Sequence, residues 1–248
     1  MSLPVRHGMT FGELAKFFND YATEVQMKPE LLDARAVQIG ERGKDVAPPA
    51  TQPGLHAMLT VVPMQHWTRS EFFDEAGLPW VPPSPNMKTP ATNEVHPGVA
   101  LMDYTNMSVG RGTAAPYENF GAPFVKADEL AEYLNARKMA GVTFSATTLT
   151  VAEDGNKYPF HGQTIPGIHI TVTDRAKLDT PEMGVEILSA LHRLYPAEFQ
   201  LEKAKTILLN ADTLAAIRAG KDPSEIAAGW GAGLAAFKEM RAGELLYR

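Results

Sequence analysis

One guanidinium stands between two glycines in Thr105-Asn106-Met107-Ser108-Val109-Gly110-Arg111-Gly112-Thr113. Glycine has no Cβ to hold a ligand away, so backbone N–H groups on such a loop can approach it closely. The Arg111 fork pairs bidentately with carboxylates or phosphates. These properties point to an oxygen-rich ligand, neutral or anionic. The same pattern also fits a turn whose arginine ties down a neighbouring carboxylate. The lysine and glycine spacing of a P-loop are absent. Asn86, in Pro83-Ser84-Pro85-Asn86-Met87, could join Asn106, Ser108 and Thr113 in bonding sugar hydroxyls or an N-acetyl group. Each could equally serve its own backbone as a turn residue. All lie within Ser84 to Pro123, a stretch dense in glycine, proline and small polar residues that also carries apolar runs.

Asp103 and Glu118, with Glu94, are the carboxylates of this region, and Asp103 and Glu118 are the weak candidates for a catalytic acid. A glycosidase usually needs two carboxylates flanking the bond it cuts. Linear spacing does not show which of these converge. His7, His96, His161 and His169 lack the i, i+4 spacing of a zinc helix, so neither a metal nor any other cofactor is expected. His7 and His161 each precede a glycine and could be adjacent to a site. Ser84 lacks the glycine elbow of a serine hydrolase.

The chain has 248 residues, 44% hydrophobic and 21% charged, enough to bury a sizeable core. Its net charge of -6 and the lack of a Lys/Arg block argue against nucleic acid as a partner. Without cysteine there is no disulfide, thiolate nucleophile or sulfur-ligated metal. No apolar run is long enough for a membrane span, and the N-terminus lacks the organisation of a signal peptide. The motif-like Arg6-His7-Gly8-Met9-Thr10 arrives so early that missing upstream sequence is expected.

The elements that would position these residues read as a mixed α/β domain: a mixed sheet flanked by helices, with a helical C-terminal tail. Thr10 and Glu13 form a capping box for a helix from about Phe11 to Ala22, with Met9 and Leu14 as a hydrophobic staple. An extended insertion is expected over 23–57, with room for a short helix over Pro29 to Val37. Buried strands are expected at Met58 to Val62 and Gly98 to Met102, the second launching the Asn106 to Thr113 loop. Trp67, Phe72 and Phe73 should cluster around a short helical turn. Asp128 should cap a helix closed by Gly141, followed by strands at Val142 to Thr150 and Gly167 to Thr173. Thr180-Pro181 should open a helix. Ala211 to Ala219 should form another, closed by Gly220. A second capping box at Asp222 to Glu225 should start a helix bearing Ile226, Trp230, Leu234 and Phe237 on one face.

Taken in order, several blocks resemble one family. They are Arg6-His7-Gly8-Met9-Thr10 with Gly12-Glu13-Leu14, Leu59-Thr60-Val61-Val62-Pro63-Met64 with Trp67, and Gly77-Leu78-Pro79-Trp80. Pro83-Ser84-Pro85-Asn86-Met87, Thr105-Asn106 with Ser108, and Gly110-Arg111-Gly112-Thr113 follow, then Gly121-Ala122-Pro123, Val172-Thr173-Asp174-Arg175 and Leu245-Leu246-Tyr247. The chain is similar to the C-terminal half of the bacterial exo-β-N-acetylmuramidases of the NamZ type. That resemblance implies a glycoside hydrolase of cell-wall turnover, removing N-acetylmuramic acid from non-reducing ends of peptidoglycan fragments, in the cell envelope or secreted. It implies a single domain over 1–248, partnered by an N-terminal Rossmann-like half across a substrate cleft. The family's glycine-proline-glutamate-histidine-glycine block, with its proposed catalytic glutamate, has no match here. Asp103 also stands where a glutamate is common. Arg111 is then expected to pair with the lactyl carboxylate of the sugar, with Asn86, Asn106 and Ser108 holding the loop or touching the ring. The alternatives are a non-catalytic muropeptide-binding module and a truncated remnant.

Overall fold

The computed structural model describes residues 4–21, 58–153 and 158–247. The expected insertion at 23–57, with the short helix inside it, lies outside them. The chain divides into two compact units, Met1–Glu71 with Gly233–Arg248, and Phe72–Ala232. In chain order the helices are α1 (Phe11–Tyr21), α2 (Pro90–Val99), α3 (Ala127–Ala136), α4 (Thr180–Leu194), α5 (Lys205–Leu208), α6 (Ala211–Arg218), α7 (Pro223–Ala228) and α8 (Gly231–Arg241). The strands are β1 (Asn119–Gly121), β2 (Val142–Thr150) and β3 (Thr164–Val172). Among the described residues no helix is long and apolar enough to cross a membrane.

In the smaller unit, α1 begins as its capping box predicts. The Thr10 N–H donates to Glu13 Oε2 at 2.7 Å, and the Glu13 N–H donates to Thr10 Oγ1 at 3.4 Å. Glu13 also does what a surface cap cannot. It is fully buried, its Oε1 accepts from the Leu246 and Tyr247 N–H groups at 2.7 and 3.3 Å, and it pairs with Arg69. One carboxylate therefore joins the start of α1 to the last residues of the chain. Phe17 of α1 packs on Phe237 of α8 with ring centroids 5.8 Å apart, and Trp67 meets Tyr247 edge-on at 5.0 Å.

Two expectations fail nearby. Met58 to Val62 joins no sheet among the described residues, and Met58 and Val62 are exposed. An apolar β-branched run favours an extended chain, but a strand also needs a neighbour to complete its ladder. Within the larger unit no ring contact joins Phe72 to Phe73 among the described residues, so that part of the expected aromatic cluster does not form. Phe73, in a 3₁₀ turn, meets Trp80 at 5.0 Å, and Phe72 lies under the Arg175 guanidinium at 4.0 Å.

The larger unit is built on a three-stranded sheet, antiparallel throughout, in the order β1-β3-β2. β2 has the expected bounds, and β3 starts earlier than expected, at Thr164, in register from Val142↔Val172 to Thr150↔Thr164. Helices cover the sheet, and Phe120, Leu130, Leu134, Ile168, Ile187 and Leu188 are completely buried between them. Each such side chain contributes about 1.5–3 kcal/mol of transfer free energy.

Three helix starts here share one local grammar, a polar cap followed by proline. Thr89 accepts from the Thr92 N–H, Asp179 from the Glu182 N–H and Asp222 from the Ser224 N–H, each ahead of Pro90, Pro181 or Pro223. The Thr89-Pro90 start wins over the strand expected at Gly98 to Met102. α2 runs through Val99 and continues as a 3₁₀ turn over Ala100–Met102, so the Asn106 to Thr113 loop leaves a helical turn and not a strand. A short apolar run does not distinguish strand from buried helix. Gly98 instead serves a close helix crossing, since a Cβ there would stand 2.3 Å from the Thr180 carbonyl oxygen of α4.

Two smaller corrections follow. Lys126, not Asp128, occupies the N-cap of α3, and Asp128 sits in the first turn, where its charge complements the helix dipole. The C-terminal helix expected from Asp222 onward is two helices, because α7 ends at Ala228 and α8 begins at Gly231. Trp230, at the break, donates its indole N–H to Thr213 Oγ1 at 3.2 Å.

Candidate functional site

The larger unit assembles a polar cluster around Arg111. α2 supplies His96, and the buried 3₁₀ turn that follows it ends at Asp103. The chain then pairs with itself. Ser108 and Gly121 exchange both backbone hydrogen bonds, at 2.8 and 2.9 Å, and the Tyr117 N–H donates to the Val109 carbonyl at 2.8 Å. Arg111 sits on the loop these bonds close, between Gly110 at φ 74° and Gly112 at φ 81°. Backbone angle favours glycine at both positions, and at Gly110 space demands it as well. A Cβ on Gly110 would lie 2.7 Å from the Asn119 carbonyl oxygen, and one on Gly112 would lie 3.0 Å from the Tyr158 ring.

Arg111 Nη2 lies 3.1 Å from Asp103 Oδ1, and the guanidinium carbon lies 5.3 Å from the centroid of the Tyr158 ring. The Tyr158 hydroxyl accepts from Asn86 Nδ2 at 3.4 Å. The Tyr117 hydroxyl donates to Asp103 Oδ2 at 3.3 Å, and its ring meets His96 edge-on at 4.6 Å. Tyr117 holds φ at 61°, an uncommon conformation for a bulky residue, of the kind that gathers at functional sites.

Burial dominates the electrostatics of the cluster. It raises the Asp103 carboxyl above its ordinary value against the opposing charge of Arg111. It lowers His96, against Asp103, and together with Asp103 it pushes the Tyr117 phenol up to about 12. Among the described residues, Arg111 Nε is buried without a hydrogen-bond partner, and Asp103 Oδ1, also buried, has the ion-pair contact to Arg111 Nη2 at 3.1 Å and no further hydrogen bond. Unmet buried polar atoms are uncommon and call for an explanation.

The other predicted residues are engaged elsewhere. Asn106 donates to the Glu198 carbonyl at 2.8 Å and accepts from the Gln200 N–H at 2.9 Å, so both ends of its amide bond backbone. Ser108 is buried and accepts from the Gly110 N–H, and Thr113 donates to the Gly110 carbonyl at 2.6 Å. These two hydroxyls shape the glycine loop. Glu118 accepts from the Thr89 and Thr92 hydroxyls, at 3.0 and 2.6 Å, at the start of α2. His7 belongs to the smaller unit, where its Nδ1 accepts from the Met9 N–H at 3.2 Å. The cluster thus unites Arg111, Asn86 and Asp103 from the sequence reading with His96, Tyr117 and Tyr158, which that reading did not assign to the site. Tyr117 offered a signal, an aromatic side chain within the glycine-rich stretch. Tyr158 offered none. A cavity of about 560 Å³ in the same unit is lined by other residues, among them Arg137, Glu182, Glu186 and Asp222. Its arginine is already spent on Glu186 and Asp222, at 2.9 and 3.0 Å.

Residues 94–247 match the family model described as exo-beta-N-acetylmuramidase NamZ, C-terminal, and residues 1–91 match its N-terminal counterpart. The chain belongs to the NamZ family. It is 36% identical over 198 residues to the peptidoglycan beta-N-acetylmuramidase NamZ of Bacillus subtilis, covering 80% of this chain and 39% of that protein. A DUF1343 family protein from Bacteroides fragilis shares the fold, with a TM-score of 0.62 at 21% identity over 99% of this chain and 58% of the other. A second DUF1343 protein of that organism aligns with a TM-score of 0.52 at 22% identity, over 76% of this chain and 49% of its own. The chain therefore spans well under two thirds of the length of these relatives. The match at 1–91 also means that it carries sequence of the N-terminal NamZ model, where the resemblance alone implied the C-terminal half.

Proposed function

We propose that this chain recognises N-acetylmuramic acid at the non-reducing ends of peptidoglycan fragments, as the cleft-forming, substrate-reading part of an exo-β-N-acetylmuramidase. The observation that carries this reading is the Arg111 guanidinium, held on a glycine-flanked loop by Asp103 and Tyr158, with a buried Nε that has no partner among the described residues. N-acetylmuramic acid differs from N-acetylglucosamine by a lactyl ether that ends in a carboxylate, the group such a fork is shaped to receive. Membership in the NamZ family and the name of the Bacillus relative support this sugar as ligand.

The carboxylates favour recognition over cutting by these residues. Asp103 is engaged by Arg111 and Tyr117, and Glu118 by two threonines. The bond-cutting acid is then a residue other than these two. Calorimetric titration tests the reading. N-acetylmuramic acid should bind saturably and roughly 10- to 100-fold more tightly than N-acetylglucosamine, the worth of a charge-assisted hydrogen bond or two. Equal affinities would contradict it. Turnover of a chromogenic muramic acid glycoside by this chain alone would show that its own residues cut.

A further inference from the structure

We propose that a cavity of about 350 Å³ in the larger unit, lined by α3, α4, α6 and the turn into α7, binds a small organic dianion, a phosphate ester or a dicarboxylate, through Arg193 and Lys221. It shares no lining residue with the Arg111 cluster and does not depend on the reading of that cluster. Acidic residues outnumber basic ones in the chain, 29 to 23, yet this cavity is lined by Arg137, Arg193, Arg218 and Lys221 against one carboxylate, Asp222. Two of the cations are neutralised. Arg137 pairs with Glu186 and Asp222 at 2.9 and 3.0 Å, and Arg218 pairs with both oxygens of Glu202 at 2.7 and 2.8 Å. Asp222 is spent on Arg137 and on the Ser224 hydroxyl, at 2.6 Å. Arg193 and Lys221 form no ion pair among the described residues. A cleft lined by one sign of charge concentrates the opposite ion, and two unbalanced cations match a dianion.

The same wall holds two unmet polar atoms. Ser189 Oγ and His192 Nδ1, three positions apart on one face of α4, are buried without a hydrogen-bond partner among the described residues. A serine hydroxyl moves between staggered positions by one rotation about χ1. Ser189 can thereby exchange an unpartnered position for a bond to an anion in the cavity, where a charged acceptor makes the stronger kind of hydrogen bond. Tyr133 and Ile217 add an aromatic and an aliphatic surface, which suits an ion with a carbon skeleton. The volume admits about ten water-sized groups, the scale of a small phosphate ester or a short dicarboxylate.

Calorimetric titration of the 248-residue chain at fixed ionic strength compares glycerol phosphate, succinate and the monoanion acetate. At least one dianion should bind saturably and at least about 10-fold more tightly than acetate, the worth of one further charge-assisted contact, and the tighter of the two tells phosphate from carboxylate. Replacing both cations, Arg193→Gln with Lys221→Gln, should weaken that dianion at least about 10-fold without moving the thermal melt, since both side chains are exposed. Ser189→Ala should weaken it by about 3- to 10-fold. Arg111 is itself a candidate receptor for carboxylates, so the dianion is also titrated against Arg111→Met, where its affinity should persist. Binding lost in Arg111→Met and kept in the double variant would place the dianion at the Arg111 loop and overturn the proposal, leaving the reading of Arg111 standing. Equally weak binding of all three anions, or undiminished affinity in the double variant, overturns it as well.

Discussion

Arg111→Met should bind N-acetylmuramic acid about 30- to 100-fold more weakly than the parent chain, with little change toward N-acetylglucosamine. Removing one partner of a hydrogen-bonded charge pair costs about 2–5 kcal/mol, and each 1.4 kcal/mol is tenfold in affinity. Methionine keeps an unbranched apolar stem and removes the fork that lies over the Tyr158 ring. The fold should tolerate the change. Arg111 is 30% exposed, and burial already raises the Asp103 carboxyl, which can take up a proton when the opposing charge is lost. Arg111→Lys should fall between the two, because an ammonium supplies charge without a planar pair of donors. Titration of both variants, alongside their thermal melts, checks the prediction. Unchanged affinity in Arg111→Met would show that the guanidinium serves only to hold Asp103.

The largest effect on stability should come from Glu13→Gln, which is expected to destabilise the smaller unit by about 1–3 kcal/mol, the cost of leaving a buried hydrogen-bonding group unsatisfied. In the parent chain both carboxylate oxygens only accept: Oε2 from the Thr10 N–H, and Oε1 from Leu246, Tyr247 and Arg69. Glutamine must turn an N–H₂ toward one of these sets of donors, and in either orientation Arg69 loses its ion pair. Denaturant unfolding followed by Trp67 fluorescence measures the change, since Trp67 packs on Tyr247. The pH dependence has a defined sign. Burial raises the Glu13 carboxyl, but the hydrogen bonds from Thr10, Leu246 and Arg69 outweigh it and leave the folded-state value below the ordinary 4.5. Its contribution is therefore fully present above pH 4.5 and lost as the pH falls through that lower value. Glu13→Gln, with no carboxylate to titrate, should lose less stability over the same acid range. An equal slope in both proteins would contradict this account.

Much of the fold was legible because its signals are local. A capping box at Thr10 and Glu13 marks the start of α1, and a polar residue before proline marks the starts of α4 and α7. The alternation around Ile168 and Ile170 marks β3. The errors fall where a partner distant in sequence decides. Gly98 to Met102 looks extended until α4 lies against Gly98, and Met58 to Val62 looks like a strand although no neighbour among the described residues completes it. Glu13 was readable as a cap, whereas its bonds to Leu246 and Tyr247 depend on how the chain returns.

The site divides in the same way. Arg111 between two glycines is visible as a pattern, and Asn86 and Asp103 lie in the same stretch. Nothing local indicates that Asn106 is spent on the backbone at Glu198 and Gln200, or that Tyr158 lies beside the guanidinium. A polar side chain near a glycine loop has the same composition whether it faces a ligand or a carbonyl.

The most direct measurement is an experimental structure of this chain with N-acetylmuramic acid bound. The account predicts the lactyl carboxylate within about 3 Å of the Arg111 nitrogens, the spacing of a charge-assisted hydrogen bond. A sugar bound at other residues, with Arg111 still facing only Asp103, would contradict it.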